Sequence, residues 1–189
     1  MCIRDSFVDV TGITVVGERI NPTGKKRLQQ ALREGDSSYP CAQAVAQAEA
    51  GAEVLDVNAG LPGIDEPATL EQLVRDLQAV TDLPLQLDSS NPDALSHALR
   101  IYNGKPIVNS VNGEQSTLDM ILPLCKKYGA AVVGLALDEH GIPATADGRF
   151  AIAQRIVKAA NAVGIPNEDI YIDCLTLTAS AQQEGAVQT

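Results

Sequence analysis

Leu83-Pro-Leu-Gln-Leu-Asp88-Ser-Ser-Asn91-Pro92 compresses a strand, a carboxylate and a helix start into one short stretch. Leu83–Leu87 reads as a β-run that ends on Asp88. Asn91 suits a helix N-cap, and Pro92 suits the first helical position, where a missing N–H costs nothing. Leu95, Ala98, Leu99 and Tyr102 then fall on one helical face. The stretch is therefore a strand, a polar turn and an amphipathic helix.

The same order recurs on both sides. Ile13–Gly17 is an apolar strand, followed by Gly24, the Lys25-Lys26-Arg27 run and a helix to about Glu34. Cys41–Ala50 is an Ala-rich helix stopped by Gly51. Val54–Val57 is the second strand. Pro67 stands at a first helical position, and Leu70, Leu73, Val74, Leu77 and Val80 form the stripe of a surface helix. Beyond Leu83–Leu87, a fourth strand centres on Ile107-Val108. Ser116 and Asp119 resemble a capping box, and Lys126-Lys127 and Gly129 close that helix. Ala131–Leu137 has the continuous apolar character of a parallel strand covered on both faces. A helix from Asp147 to Val163 stops at Gly164, Ile170–Ile172 is the sixth strand, and Ala179–Gln188 opens another helix.

This alternation predicts an α/β fold with a parallel sheet and right-handed crossovers. A doubly wound sheet usually carries a glycine-rich phosphate loop after its first strand. Gly17-Glu-Arg-Ile-Asn-Pro-Thr-Gly24 has the wrong spacing for one. The reading is a (β/α)8 TIM barrel, here truncated to about six β/α units. Residues 1–12 form an N-terminal tail outside the fold, and residues 13–189 form a barrel domain that is incomplete at its C-terminal end.

Composition narrows the function. The 189 residues are 45% hydrophobic and carry a net charge of −10. That charge disfavours nucleic acid and anionic membranes as partners. No apolar run reaches membrane-spanning length, and Met1–Phe7 lacks a signal-peptide core, so a cytoplasmic location is expected. Cys2, Cys41, Cys125 and Cys174 form no C-x-x-C pair and read as free thiols, Cys174 as a buried structural one. With His97 and His140 as the only histidines, no zinc-site spacing exists and no metal is expected. His97 reads as a surface residue in a helix.

The strand ends carry the chemistry. Asp56, Asn58, Asp88, Asn109 and Asp173 close β-like runs, and Asn21 follows the first one. In a β/α barrel the carboxyl ends of the strands form one rim, where active sites sit. For a single Asp there, a helix cap or half of an ion pair is as good a reading as a ligand-binding group. A set of carboxylates and amides fits a flat heterocycle rich in donors and acceptors better than a metal or phosphate. Lys25-Lys26-Arg27 reads as a solvated helix start, or as a dock for an anionic tail.

Gly17-Glu-Arg-Ile-Asn-Pro-Thr-Gly-Lys25, Val54-Leu-Asp-Val-Asn-Ala-Gly60, Leu85-Gln-Leu-Asp-Ser89, Ile107-Val-Asn-Ser-Val-Asn112 and Ile170-Tyr-Ile-Asp173 together resemble the pterin-binding barrel family. Within it they are most similar to the methyltetrahydrofolate-binding domain of cobalamin-dependent methionine synthase and to methyltetrahydrofolate:corrinoid methyltransferases. The resemblance implies a pterin ring in the barrel mouth, with Asp88, Asn109 and Asp173 bonding its amino and ring-nitrogen edges. Asn21 and Asn58 match further mouth positions. It implies transfer of the N5 methyl group of methyltetrahydrofolate to cob(I)alamin on a corrinoid-binding domain or partner protein, with a homo-oligomer as a further partner. The activating Asn of the family is expected beyond Thr189, so these 189 residues alone are expected to be inactive. Dihydropteroate synthase is the alternative, but Asp56-Val-Asn-Ala-Gly and Asp173-Cys-Leu-Thr-Leu-Thr lack its usual motifs and its lysine. A catalytically inactive barrel fragment is the third reading.

Overall fold

The computed structural model describes residues 12–176. Most of the tail at 1–12 and the helix expected over 179–188 lie outside the described residues. In chain order the elements are β1 (Val16–Ile20), α1 (Lys26–Glu34), α2 (Ser38–Glu49), β2 (Val54–Asn58), α3 (Glu66–Val80), β3 (Leu85–Asp88) and α4 (Pro92–Ile101). These are followed by β4 (Ile107–Val111), α5 (Gln115–Tyr128), β5 (Ala131–Leu135), α6 (Ala146–Ala162), a 3-10 turn at Asn167–Asp169, and β6 (Ile170–Asp173). Six parallel strands alternate with helices, and strand order follows chain order. The chain divides between Val108 and Asn109, inside β4, into two compact units.

In the first unit, β2 pairs with β1 and β3 in parallel. Leu55, Val57, Leu85 and Leu87 are fully buried. Side chains alternate across a strand, so Asp56 and Asn58 share the opposite face with Gln86 and Asp88. Leu70, Leu73, Val74 and Leu77 of α3 are buried, as are Ala94, Leu95, Ala98 and Leu99 of α4, and the two helices pack together. Val80, expected in the α3 stripe, is 45% exposed at the helix end. Tyr102 lies just beyond α4, where its hydroxyl accepts from the Leu85 N–H.

The helix signals at α4 hold in detail. Asn91 is the N-cap, its side chain accepts from the N–H groups of Asp93 and Ala94, and Pro92 opens the helix. Asn91→Ala is expected to lower stability by about 1 kcal/mol, the ordinary worth of such a cap. Chemical denaturation is the check, and an unchanged midpoint would show that the cap contributes nothing.

Three local expectations are corrected. The first strand is Val16–Ile20 rather than Ile13–Gly17. Val16 is the first residue in register with β2, opposite Val54, whereas Ile13 is 96% exposed. Ser116 does not cap α5, which starts at Gln115 after Glu114 without a side-chain cap. Instead, Asn112 accepts from the Glu114 N–H, and Gln115 bonds Asp119 four residues on. Cys174 is exposed rather than buried. Cys125 is the structural thiol: it is fully buried, and burial pushes its pKa up to about 12.

In the second unit, β5 pairs with β6 in parallel, from Val132 opposite Ile170 to Leu135 opposite Asp173. Gly134 has no room for a side chain, since a Cβ there would stand 2.8 Å from Ile156 of α6. The expected end of α5 is present, with Lys126 and Lys127 in the last turn and Gly129 in the left-handed region. His97 is exposed on α4 and lies 3.1 Å from Glu71. No helix among the described residues is long and apolar enough to cross a membrane.

Candidate functional site

The first unit builds a polar cluster from strand register alone. Asn58 stands opposite Asp88, and Asp56 stands opposite Gln86 one repeat below on the same face. Each pair is joined. Asn58 Nδ2 donates to Asp88 Oδ2 at 2.9 Å, and Gln86 Nε2 donates to Asp56 Oδ1 at 2.6 Å. Asn21, just past β1, adds a long bond from its Nδ2 to Asp88 Oδ2 at 3.4 Å. Three residues singled out in the sequence, Asn21, Asn58 and Asp88, therefore meet.

Both amides converge on Oδ2 of Asp88. Its Oδ1 accepts no hydrogen bond from the described residues and can receive one from a ligand. The amides themselves are fixed by their own turns. Asn58 Oδ1 accepts from the Gly60 N–H, and Asn21 Oδ1 accepts from the Thr23 N–H. Their carbonyl ends are thus anchored, which aims the NH2 ends at the carboxylate.

Asp88 holds its charge at a cost. Burial pushes its pKa up from the ordinary value, and nearby Glu18 and Glu66 push the same way. The Asn58 bond opposes them by stabilising the carboxylate. Glu66, at the start of α3, accepts from the buried Ser89 hydroxyl, and the Ser89 oxygen accepts from the Asn91 N–H. This ties the turn after Asp88 to the next helix.

Asn109 and Asp173 belong to the second unit. Asn109 is the third residue of β4, half-buried. Asp173 ends β6, is exposed, and accepts from the Leu175 N–H at 2.7 Å. Leu175 has φ +57°, a left-handed conformation unusual for a leucine. Arg149 of α6 is 5% exposed and donates to the carbonyls of Pro143, Cys174 and Leu175.

Sequence reasoning does not single out Gln86, Glu66, Ser89 or Arg149. Gln86 carries a signal in its period-two placement two residues before Asp88. Arg149 carries none, because a buried arginine in a helix looks like a surface one until the fold covers it. The Lys25-Lys26-Arg27 run is largely engaged locally. Lys25 pairs with Glu18 at 3.1 Å, and the Arg27 guanidinium lies 4.4 Å from the Tyr39 ring centre. Among the described residues, no group of three or more His, Cys, Asp or Glu is placed to hold a metal ion.

The chain matches the family described as pterin binding enzyme over residues 17–188. It is 31% identical over 184 residues to a methionine synthase of Mycobacterium leprae, covering 94% of this chain and 15% of that protein. It is 30% identical over 176 residues to a methylcorrinoid:tetrahydrofolate methyltransferase of Eubacterium limosum, covering 90% of this chain and 64% of that one. The chain thus spans less than two thirds of the length of either relative. In fold it is similar to dihydropteroate synthase of Xanthomonas albilineans in complex with 7,8-dihydropteroate, with a TM-score of 0.66 at 19% identity. That likeness covers 96% of this chain and 66% of the synthase.

Proposed function

Because the chain belongs to the pterin-binding enzyme family, we propose that it is the folate-binding part of a methyltransferase that moves the N5 methyl group of methyltetrahydrofolate to a corrinoid. The relatives at 30–31% identity support methyl transfer between a folate and a corrinoid: a methionine synthase, and a methylcorrinoid:tetrahydrofolate methyltransferase, which is named for the reverse direction. The observation that carries the reading is the convergence of Asn21 and Asn58 on one oxygen of Asp88. A 2-amino-pyrimidinone edge offers two N–H donors side by side, and an ionised carboxylate accepts them with charge-assisted strength. Asp88 is the acceptor in this assignment. Asn109 and Asp173 take further ring-edge contacts by resemblance to the family.

Methyl transfer needs N5 to gain a proton or a strong hydrogen bond as the C–N bond breaks, because an amide anion is a poor leaving group. The part assigned to these residues is to hold and orient the ring. The methyl acceptor is a corrinoid held by another domain or protein, and the compartment is the cytoplasm.

The test uses the natural protein that carries this chain. Asp88→Ala is expected to weaken methyltetrahydrofolate binding by roughly 1.5–3 kcal/mol, the range for hydrogen bonds to a charged group. Asn109→Ala, with neutral contacts, is expected to cost about 0.5–1.5 kcal/mol. Calorimetry reads both, and cobalamin absorbance reads the passage from cob(I)alamin to methylcobalamin. Unchanged affinity in both variants would refute the site. Turnover of dihydropterin pyrophosphate with para-aminobenzoate would replace the methyltransferase reading with the synthase one.

A further inference from the structure

We infer that Gln47 and Gly17 form a positioning device: the Gln47 amide holds an extra residue in β1 and so sets where Asn21 stands against Asp88. The functional part of this inference rests on the pterin-site reading above. The register between β1 and β2 slips by one. Gly17 pairs with Leu55 and Ile20 pairs with Val57, so three steps on β1 match two on β2. Glu18 and Arg19 are both exposed in succession, where regular alternation would turn one of them inward. One extra residue in a strand is a bulge; it reverses the phase of everything after it and leaves backbone groups without ladder partners.

The Arg19 N–H lies in that irregular stretch, and Gln47 satisfies it. Gln47 Oε1 accepts from it at 2.8 Å. The amide reaches β1 from α2, which packs on that strand. It can do so only because residue 17 has no side chain. A Cβ on Gly17 would stand 2.6 Å from Gln47 Oε1 and 3.2 Å from the Ala52 side chain. Gly17 is thus required for close approach, and its φ is not in the left-handed region.

Gln47 is a costly choice for this place. It is 8% exposed, and its Nε2 has no hydrogen-bond partner among the described residues. A buried donor left unpaired works against folding, and an apolar side chain of the same length would avoid that. What the apolar side chain would not do is hold the Arg19 N–H. The residue that depends on this is Asn21, two positions on, whose bond to Asp88 is already long at 3.4 Å. A small change in the path of β1 would break that bond and leave the 2.9 Å Asn58 bond in place. Gln47 itself touches no ligand; it is a positioning residue acting through Asn21.

Gln47→Met keeps length and removes the acceptor, whereas Gln47→Glu keeps an acceptor in place. The measurements are made on the natural protein that carries the chain. In the ligand-free protein, Gln47→Met is expected to move the side-chain amide NMR signals of Asn21 and leave those of Asn58 where they are, with no loss of melting temperature. Methyltetrahydrofolate binding is expected to weaken about fivefold in Gln47→Met and in Asn21→Ala, the worth of one ordinary hydrogen bond. The two losses should not multiply when combined, whereas Gln47→Met with Asn58→Ala should multiply. Gln47→Glu should recover part of the binding. Asn21 signals that stay in place, or losses that multiply with Asn21→Ala, would overturn the inference. If the Asn21 signals move but none of Asn21→Ala, Asn58→Ala and Asp88→Ala alters folate affinity, the pterin reading fails and the positioning device stands.

Discussion

Asp88→Asn is expected to bind methyltetrahydrofolate about tenfold to a hundredfold more weakly than the unsubstituted protein, and to melt at a higher temperature without ligand. Both effects follow from one fact: the carboxylate is kept in a place that disfavours its charge. Burial and the neighbouring Glu18 and Glu66 raise the pKa of Asp88, and only the Asn58 bond pulls it back. The folded chain therefore binds this proton more tightly than the unfolded chain. In the window between the ordinary value of 3.8 and the raised one, stability falls as pH rises. Above the raised value the full penalty is present. An asparagine keeps an oxygen for the Asn58 amide and removes the charge, so the penalty vanishes.

The same substitution removes what the ligand needs. The free oxygen of Asp88 is an acceptor with a charge, whereas an amide presents a weaker acceptor or a donor that clashes with the N–H groups of the pterin. Affinity in the unsubstituted protein should fall as pH drops through the raised pKa of Asp88, and this step should be missing in the variant. Calorimetry across acid pH and a thermal melt without ligand read the two halves separately. A variant that binds normally, or one that is both weaker-binding and less stable, would show that Asp88 is a structural cap and not a ligand acceptor.

Much of this arrangement is legible in the sequence. Asn91-Pro92 marks the start of α4 because capping chemistry is local and needs no partner from elsewhere. The strand at Leu85–Asp88 announces itself because its apolar residues alternate with Gln86 and Asp88. That alternation places Asp88 on the polar face, and parallel pairing puts Asn58 beside it. The β1 boundary is not legible, since Ile13 and Val15 are apolar yet exposed, and only pairing with β2 decides where the strand begins. The irregularity after Gly17 is hidden for the same reason: a bulge is a relation between two strands, and one strand's sequence does not reveal it. Ser116 misleads because a capping pattern competes with whatever the preceding turn does, and here Asn112 organises that turn first.

Removal of Arg149 is expected to cost more stability than loss of the Asn91 cap. Arg149→Met should destabilise the chain by about 2–4 kcal/mol, since it removes charge-assisted donors from a buried place. Nε serves the Pro143 carbonyl at 3.1 Å, and one terminal nitrogen serves the carbonyls of Cys174 at 2.9 Å and Leu175 at 3.5 Å. These acceptors come from the segment before α6 and from the turn after β6, so one side chain ties two loops to one helix. The turn after β6 needs the tie. Leu175 stands at φ +57°, where a side chain crowds the backbone, and such a conformation persists only where its surroundings enforce it. Arg149 enforces it from the carbonyl side, and Asp173 from the N–H side. Loss of the guanidinium lets Leu175 relax toward negative φ, which carries its N–H away from Asp173. Met fills the volume left behind, so the loss is one of hydrogen bonds and not of packing. Arg149→Lys keeps the charge but cannot fork to both loops, and it should fall between the two. Leu175→Gly removes the crowding and should reduce the cost of Arg149→Met when the two are combined. Urea denaturation of the four variants beside the unsubstituted chain measures all of this. An Arg149→Met midpoint equal to that of the unsubstituted chain would mean that the turn after β6 holds its left-handed leucine, and with it Asp173, without the arginine.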